Sequence, residues 1–271
     1  MPEPERTRFW ADLPWTAFPD LPPSTVAVLP IAAIEQHGPH LPVAVYTAIN
    51  DGIVRRMLGH LPPEASVLVL PTQAIGCSVE HVRFPGTLTA SPETLIALWT
   101  EIGQSVARAG VRRLLLLNSH GGQPQIADIV CRRLRATARL FAATCLWGRL
   151  GLPPDVTLTD EERRHGIHGG LIETSVMLHL RPDLVHMQHA RSFRSRWLDR
   201  APDCTLLTPE GATGFGWETQ DLSPEGALGD AAGATAAMGE RFVDTAAAHV
   251  AQLIQEIARL DLDAWFYPPS P

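Results

Sequence analysis

The chain has 271 residues, of which 22 are basic and 29 acidic, and every basic residue is an arginine. The absence of lysine excludes Schiff-base catalysis, a P-loop lysine and a lysine general base, because each needs an ammonium whose pKa can be lowered. The formal net charge of -7 argues against binding to nucleic acids or anionic membranes, which require a cationic surface. We therefore expect the partner to be a small molecule or another protein.

Length and apolar content favour one domain. With 45% hydrophobic residues, a chain of this size can bury most of its surface in a single core. We expect one domain over residues 1–271, with an N-terminal extension at 1–24 and a C-terminal tail at 261–271. No N-terminal stretch has the order of a signal peptide and no apolar run approaches a membrane span, which favours a cytoplasmic location. The widely spaced cysteines are expected to be free thiols: Cys77, Cys131, Cys145 and Cys204.

Short aliphatic runs alternate with helical patterns along the chain. The clearest helical pattern begins after Ser91, a good N-cap, and ends before Gly110. The predicted elements are, in order, a strand at 25–29, a helix at 48–58, a strand at 66–70, a helix at 91–109, a strand at 111–117, a helix at 125–138, a strand at 139–145, a helical turn at 173–179 and a helix at 231–260.

This alternation predicts an α/β fold with a mostly parallel central sheet and helices on both faces. Strand segments that are apolar on both faces are typical of a buried parallel sheet. In such sheets, ligands bind beyond the carboxyl ends of the strands. Polar clusters that follow the predicted strands are therefore the candidates for function.

Histidines and glutamates cluster in these positions. Glu35 and His37 follow the first strand and, two residues apart in extended backbone, would point to the same side. His120 follows the third aliphatic strand in a glycine-rich turn, and His168 precedes Glu173. Each motif alone is weak, because a loop histidine is more often exposed or capping and His-Gly-Gly can be a simple turn. Together they predict a zinc-like or manganese-like site with nitrogen and oxygen ligands.

A further polar segment, 76–87, follows the second strand. It contains Ser78, Glu80 and His81 ahead of a Pro-Gly turn. The segment could close over a substrate, or it could be an ordered loop that ends in a turn. The residues by themselves favour neither interpretation.

These segments resemble the signatures of the creatininase (creatinine amidohydrolase) family. Residues 35–42 match the family's EQHGPHLP signature in full, and 76–87 match its G-x-S-x-x-H-x-x-FPGT stretch. The remaining matches are 118–122 with N-G-H-G-G, where Ser119 replaces a glycine, His168 and 173–175 with H-A-G-E-x-E-T-S, where Gly169 and Leu171 depart, and 226–235 with a late G-x-x-G-D segment. The resemblance covers most of residues 25–245.

The resemblance implies a three-layer sandwich that acts as a metal-dependent amidohydrolase with paired divalent ions. One ion would be held by Glu35 and His120, the other by His37 and Glu173, with an aspartate bridging the two. Zinc or manganese is the implied metal, with iron as an alternative and one or two ions per subunit. The family also implies a homo-oligomer, often a hexamer.

The bridging aspartate of the family corresponds to Tyr46 in this chain. A carboxylate can bridge two cations through two anionic oxygens, whereas a neutral phenol offers one weak donor. At least one ion should therefore bind more weakly, and the spacing of Asp51 does not fit the motif. Three outcomes stay open: a single-metal hydrolase, a site with Tyr46 as a ligand, and an inactive binding protein. The first two are favoured because the other expected ligands are present.

The resulting functional prediction is hydrolysis of a non-peptide C–N bond, in a cyclic amide, a formamide or a similar small amide, by a metal-activated water. Because lysine is absent, we assign proton transfer to His168, and Glu173 is the second predicted catalytic group. His40 would contact a metal ligand, and not the metal itself, and so orient that ligand. Ser78, His81 and Trp217 would contact the substrate. The alternatives are an impaired homologue acting as a binding or assembly protein, and a metal-dependent peptidase acting on a short peptide.

Overall fold

A parallel four-stranded sheet forms the centre of the molecule, whose computed structural model describes residues 7–211 and 213–266. The elements are β1 (Val26–Ile31), α1 (Val45–His60), β2 (Val67–Val69), α2 (Pro92–Arg108), β3 (Arg113–Asn118), α3 (Pro124–Ala138), β4 (Phe141–Leu146), α4 (Asp160–His165), α5 (Leu171–Leu180), β5 (Ser192–Phe193), α6 (Trp197–Arg200), α7 (Thr219–Leu222), β6 (Gly229–Asp230), α8 (Ala236–Arg259) and α9 (Leu262–Phe266). The strand order is β2-β1-β3-β4, and every neighbouring pair is parallel.

Helices cover both faces of this sheet, which confirms the predicted fold class and its single domain. Alternate residues of the two central strands, such as Val28 and Leu115, face a layer made by α1, α5 and α8. The residues between them, such as Leu29 and Leu116, face a layer made by α2 and α3. Every residue of β1 and β3 is buried. Burial on both faces explains why these strands read as continuous apolar runs.

The observed ends of several elements differ from the predicted ones, for local reasons. Helix α1 begins at Val45 rather than 48, which places Tyr46 in its first turn. Strand β4 begins at Phe141 because Arg139 adopts a left-handed conformation (φ 52°) that ends α3. Helix α8 begins at Ala236, where the Thr235 hydroxyl caps the first turn.

Short elements escaped the sequence prediction. Helix α4 precedes the predicted helical turn at 173–179. The two-residue strands β5 and β6, which pair antiparallel, lie between that turn and the last helix. They are too short to show a periodic pattern. None of the helices in the described part of the chain is long and apolar enough to cross a membrane.

The predicted terminal segments are partly described. In the N-terminal extension, Phe9 forms a parallel bridge with Val69 at the edge of the sheet. In the C-terminal tail, α9 packs onto the body through the buried Leu262. Residues 1–6 and 267–271 of these predicted segments lie outside the described residues.

Candidate metal centre

The carboxyl ends of β1 and β3 meet at one edge of the sheet, where Ile31 lies opposite Asn118. The segments that leave these ends bring Glu35 and His120 together, with 3.4 Å between Glu35 Oε2 and His120 Nε2. The Asn118 side chain holds the backbone of His120 by accepting from its N–H and donating to its carbonyl, both at 2.9 Å. The strand register therefore positions two of the predicted ligands.

Glu35 is completely buried, and neither of its carboxylate oxygens has a well-aligned hydrogen-bond partner among the described residues, although the nearby Ser78 hydroxyl lowers its pKa. Its Oε1 lies 3.3 Å from His81 Nε2 and 3.6 Å from His168 Nδ1. Burial raises the pKa of Glu35 well above its ordinary value. A buried carboxylate without a partner is costly, and a cation among these groups would compensate it.

The hydrogen bonds of two histidines determine which ring nitrogen faces the centre. His37 Nδ1 donates to the Glu35 carbonyl at 2.9 Å, so its buried Nε2 carries a lone pair and has no partner in the described ranges. His168 Nε2 donates to the Gln36 carbonyl at 2.7 Å, which leaves the Nδ1 lone pair facing Glu35. Burial lowers the pKa of His37 well below its ordinary value and that of His168 to about 3, so both rings are neutral at pH 7. Metal-ligating histidines commonly show this arrangement.

His120 differs in its present hydrogen bond. Its Nε2 donates to the Cys77 carbonyl at 2.7 Å, and its Nδ1 is buried without a partner among residues 7–211 and 213–266. Burial lowers the pKa of His120 to about 4. Nε2 faces the carboxylates, so a cation would take the place of the proton on that nitrogen.

Two groups of side chains have ligand atoms within 4.8 Å of one another and share Glu35. The first is Glu35 with His37 and His168, and the second is Glu35 with Glu80 and His120. Carboxylate oxygens and neutral imidazole nitrogens are suitable ligands for zinc and manganese. The unpartnered, buried Glu35 and His37 atoms show that the residues present fit a divalent ion.

Glu173 and Tyr46 lie together at the same centre. Glu173, in the first turn of α5, accepts from the Gly169 N–H at 2.6 Å, and its Oε2 lies 3.8 Å from His37 Nε2. Burial raises the pKa of Glu173 to about 7, although the Gly169 N–H and the Tyr46 hydroxyl act in the opposite direction. The predicted pair of His37 and Glu173 is therefore close in space.

Tyr46 is buried with its ring against His37, at 4.6 Å between centroids, and its hydroxyl lies 3.4 Å from His168 Nδ1. Burial raises the pKa of Tyr46 well above its ordinary value, so the phenol is neutral. The Asp51 carboxylate instead accepts from the Thr72 hydroxyl at 3.2 Å. The position of the expected aspartate thus contains a neutral hydrogen-bonding group.

The two residues of 76–87 predicted to contact substrate, Ser78 and His81, are buried beside Glu35. His81 Nδ1 accepts from the Gln36 amide at 2.8 Å, so its Nε2 carries the proton and faces Glu35. The Ser78 N–H donates to the Thr89 hydroxyl at 2.8 Å. The structure therefore brings His81 into the cluster itself.

His40 and Trp217 lie further out. His40 Nε2 donates to the Thr174 hydroxyl at 2.9 Å, next to Glu173 in the chain, and the Thr174 hydroxyl donates to the Gly169 carbonyl at 3.2 Å. Trp217 Nε1 donates to the Pro209 carbonyl at 2.9 Å, within its own loop. His40 can thus influence the orientation of Glu173, whereas Trp217 holds a loop together.

Glu80 lies at this centre, although no specific role was predicted for it from the sequence. It lies in a 3-10 turn, Val79–His81, and its Oε1 is 3.8 Å from His120 Nε2. The side chains of Glu80 and Glu173 are 15% and 13% exposed, whereas those of Glu35, His37, His120 and His168 are at most 4% exposed. A substrate would therefore approach from the side of Glu80 and Glu173.

Comparisons with known proteins agree with the family resemblance of the sequence. The family model for creatininase, described as creatinine amidohydrolase, matches residues 11–254. The chain is similar to the mycofactocin precursor peptide peptidase of Mycobacterium tuberculosis (strain CDC 1551 / Oshkosh), with 35% identity over 86% of this chain and 84% of the relative. It is also similar to the creatinine amidohydrolase of Pseudomonas putida, with 28% identity over 85% of this chain and 89% of the relative.

Solved structures show the same fold. A manganese form of creatininase superposes with a TM-score of 0.69 at 25% identity, covering 94% of this chain and all (100%) of that one. A mutant creatininase of the zinc–zinc type gives the same TM-score of 0.69 and identity of 25%, again over 94% of this chain and 100% of that one.

Proposed function

Since the chain belongs to the creatininase family, we propose that it is a metal-dependent hydrolase of an amide C–N bond. The observation that supports this most strongly is Glu35, a fully buried carboxylate that faces three neutral histidine rings and has no cationic partner among the described residues. Such a group favours a bound cation, because the protein alone leaves its charge uncompensated.

The residues that would hold the metal are Glu35 with His120, and His37 with Glu173. A divalent ion bound there supplies a Lewis acid that polarises a carbonyl and lowers the pKa of a water molecule. Zinc or manganese is proposed, because their forms are known among the similar creatininase structures and both accept this mixture of ligands.

Proton transfer is assigned to His168 and Glu173. His168 is neutral with its Nδ1 lone pair facing the centre, so it can accept a proton and return it to a leaving nitrogen. Glu173 lies beside His37 in the first turn of α5, where its carboxylate would face the reacting group. Tyr46 and the Gly169 N–H hold the Glu173 carboxylate in place.

Two substrate classes are compatible with this centre. A small non-peptide amide, cyclic amide or formamide corresponds to the relative named creatinine amidohydrolase. A peptide bond in a short peptide is favoured by a specific observation, the 35% identity with a precursor peptide peptidase. The partly exposed side of the centre at Glu80 and Glu173 would admit either class.

The proposal includes a cytoplasmic homo-oligomer. All four cysteines of the chain are free thiols, which suits a reducing compartment. The family resemblance supports an oligomer, with a hexamer as one form. The competing proposal, a catalytically impaired binding protein, depends on Tyr46 and is tested by the same experiment.

The experiment combines metal analysis with a substrate screen. Protein purified without chelator should contain zinc or manganese and should hydrolyse a member of a panel of formamides, lactams, ureido compounds and short peptides. Chelation should abolish activity, and the added metal should restore it. Glu35→Gln, which keeps the side-chain shape, should lose both metal and activity. Protein that contains no divalent ion and takes up none would refute the proposal, and metal uptake without hydrolysis would favour the impaired binding protein.

A further inference from the structure

One of the two ligand groups contains a carboxylate that the family resemblance does not assign. Glu80 Oε1 lies 3.8 Å from His120 Nε2, and both lie within 4.8 Å of a Glu35 oxygen. Glu35 Oε2 lies 3.4 Å from His120 Nε2. The three atoms come from three separate segments of the chain and lie close enough together to hold one cation.

Gly122 leaves the room that Glu80 needs. A Cβ atom added at Gly122 would lie 2.4 Å from Glu80 Oε1 and 2.5 Å from His120 Nε2. Gly122 is not among the glycines with positive φ, so its backbone conformation does not require glycine. The absence of a side chain at this position is therefore explained by the space that the Glu80 carboxylate and the His120 ring occupy.

The turn that carries Glu80 is held on both sides. The Thr219 hydroxyl donates to the Glu80 carbonyl at 2.9 Å. The adjacent His81 is fixed by the Gln36 amide at 2.8 Å, and that amide also donates to the Gly226 carbonyl at 2.8 Å. A carboxylate on a turn fixed in this way loses little conformational freedom when it binds an ion.

We propose that Glu80 is the third protein ligand of the ion held by Glu35 and His120. Two carboxylates and one neutral imidazole balance the charge of a divalent cation and leave a coordination position open, as catalytic metal sites require. For His120 to hold an ion through Nε2, its neutral ring would have to carry its one proton on Nδ1 instead of donating it from Nε2 to the Cys77 carbonyl. The ion held by Glu35 and His120 then needs no carboxylate at position 46.

This inference rests on the metal centre of the proposed function, but not on its substrate. It also accounts for the tyrosine at position 46. A carboxylate from another segment supplies the negative charge at the ion of Glu35 and His120, so a neutral phenol can occupy the place of the bridging aspartate.

The test measures metal affinity rather than activity. Chelator-treated wild type and Glu80→Gln would be titrated with Mn²⁺ alone, by calorimetry and by the electron paramagnetic resonance signal of free Mn²⁺. Loss of an oxygen ligand should weaken the affected site on the order of 10–100-fold, at least as much as loss of an outer-layer partner. Gly122→Ala should weaken the same site, because its methyl group would displace the Glu80 carboxylate or the His120 ring.

Matched controls separate these effects from general damage. Glu161→Gln removes an exposed carboxylate, and Gly59→Ala adds a methyl group where nothing lies within 4 Å. Both should bind Mn²⁺ like wild type. Wild-type affinity in Glu80→Gln overturns the inference and leaves the proposed function intact, whereas failure of the wild type to bind Mn²⁺ or Zn²⁺ overturns the proposed function itself. If circular dichroism shows that Gly122→Ala does not fold, the Mn²⁺ affinity of the isosteric Glu80→Gln still tests the inference.

Discussion

Tyr46 contributes a hydrogen-bonding hydroxyl where a carboxylate would add charge. The hydroxyl lies 3.4 Å from His168 Nδ1 and lowers the pKa of the Glu173 carboxyl, while burial keeps the phenol neutral. Its ring packs against His37 and, with a centroid distance of 4.9 Å, against His120. In the metal-free molecule the phenol therefore contributes packing and a hydrogen-bonding hydroxyl to the centre.

Substitutions at Tyr46 test this role. Tyr46→Phe keeps the ring and should retain the wild-type number of bound ions. Tyr46→Asp adds a carboxylate close to Glu35 and Glu173, so the metal-free variant should lose about 3 kcal/mol or more in unfolding free energy, as expected for an uncompensated buried charge. With metal present, the same variant should bind an additional ion. Metal analysis and chemical denaturation measure both effects, and loss of an ion in Tyr46→Phe would instead identify the phenol as a ligand.

Helix α4 connects the elements that carry the centre. Its Glu162 accepts from the Leu171 N–H at the start of α5, at 2.8 Å, and from the Asp230 N–H in β6, at 2.7 Å. Burial raises the pKa of Glu162, and these two hydrogen bonds act in the opposite direction. Glu173, a predicted ligand, lies in the first turn of α5. The Glu162 carboxylate, which holds the start of α5, therefore helps to position Glu173 from outside the cluster.

Glu162→Ala should therefore destabilise the fold. Each backbone N–H left without a partner costs about 1–3 kcal/mol. The neighbouring Glu161, whose side chain is 56% exposed and pairs with Arg194, offers a matched control, and Glu161→Ala should change the unfolding free energy by no more than about 0.5 kcal/mol. Urea denaturation of the two variants measures the difference. An equal loss of unfolding free energy in the two variants would show that the Glu162 hydrogen bonds do not stabilise the fold.

The buried Glu35 carboxyl group destabilises the metal-free molecule at neutral pH. Burial raises the folded-state pKa of Glu35 above its unfolded value. The contribution of such a group to stability is fully present below the unfolded pKa and is lost as the pH rises through the folded pKa. At neutral pH, the metal-free chain therefore loses stability at Glu35, and a bound cation compensates for this loss.

Thermal unfolding should follow metal concentration. At a free metal concentration about 100 times Kd, binding adds about 2.7 kcal/mol, which for a domain of this size raises Tm by about 5–11 °C at roughly 2–4 °C per kcal/mol. Metal-free Glu35→Gln should melt above the metal-free wild type at pH 7, and its Tm should not respond to Mn²⁺ or Zn²⁺. Differential scanning calorimetry with and without metal makes the comparison. An equal rise of Tm in Glu35→Gln would contradict this account.

Local sequence patterns were sufficient for the main elements and failed for the short ones. The runs that became β1 and β3 are apolar at every position because helices pack on both faces, and Ser91 caps α2 as its position indicates. The observed start of α8 differs from the predicted one because the cap is a single residue, Thr235. Helix α4 and the strands β5 and β6 are defined by contacts with distant segments, so no local pattern predicts them.

The sequence alone determined the parallel sheet and that Glu35, His37 and His120 follow its strands, because parallel register brings the strand ends to one edge. Tertiary structure alone decided which carboxylate oxygen faces which ring nitrogen, and that Glu80 reaches His120. Those distances depend on loops that meet across the sheet edge and on the space left at Gly122. Such contacts join residues far apart in the chain, so their geometry arises only when the whole fold packs.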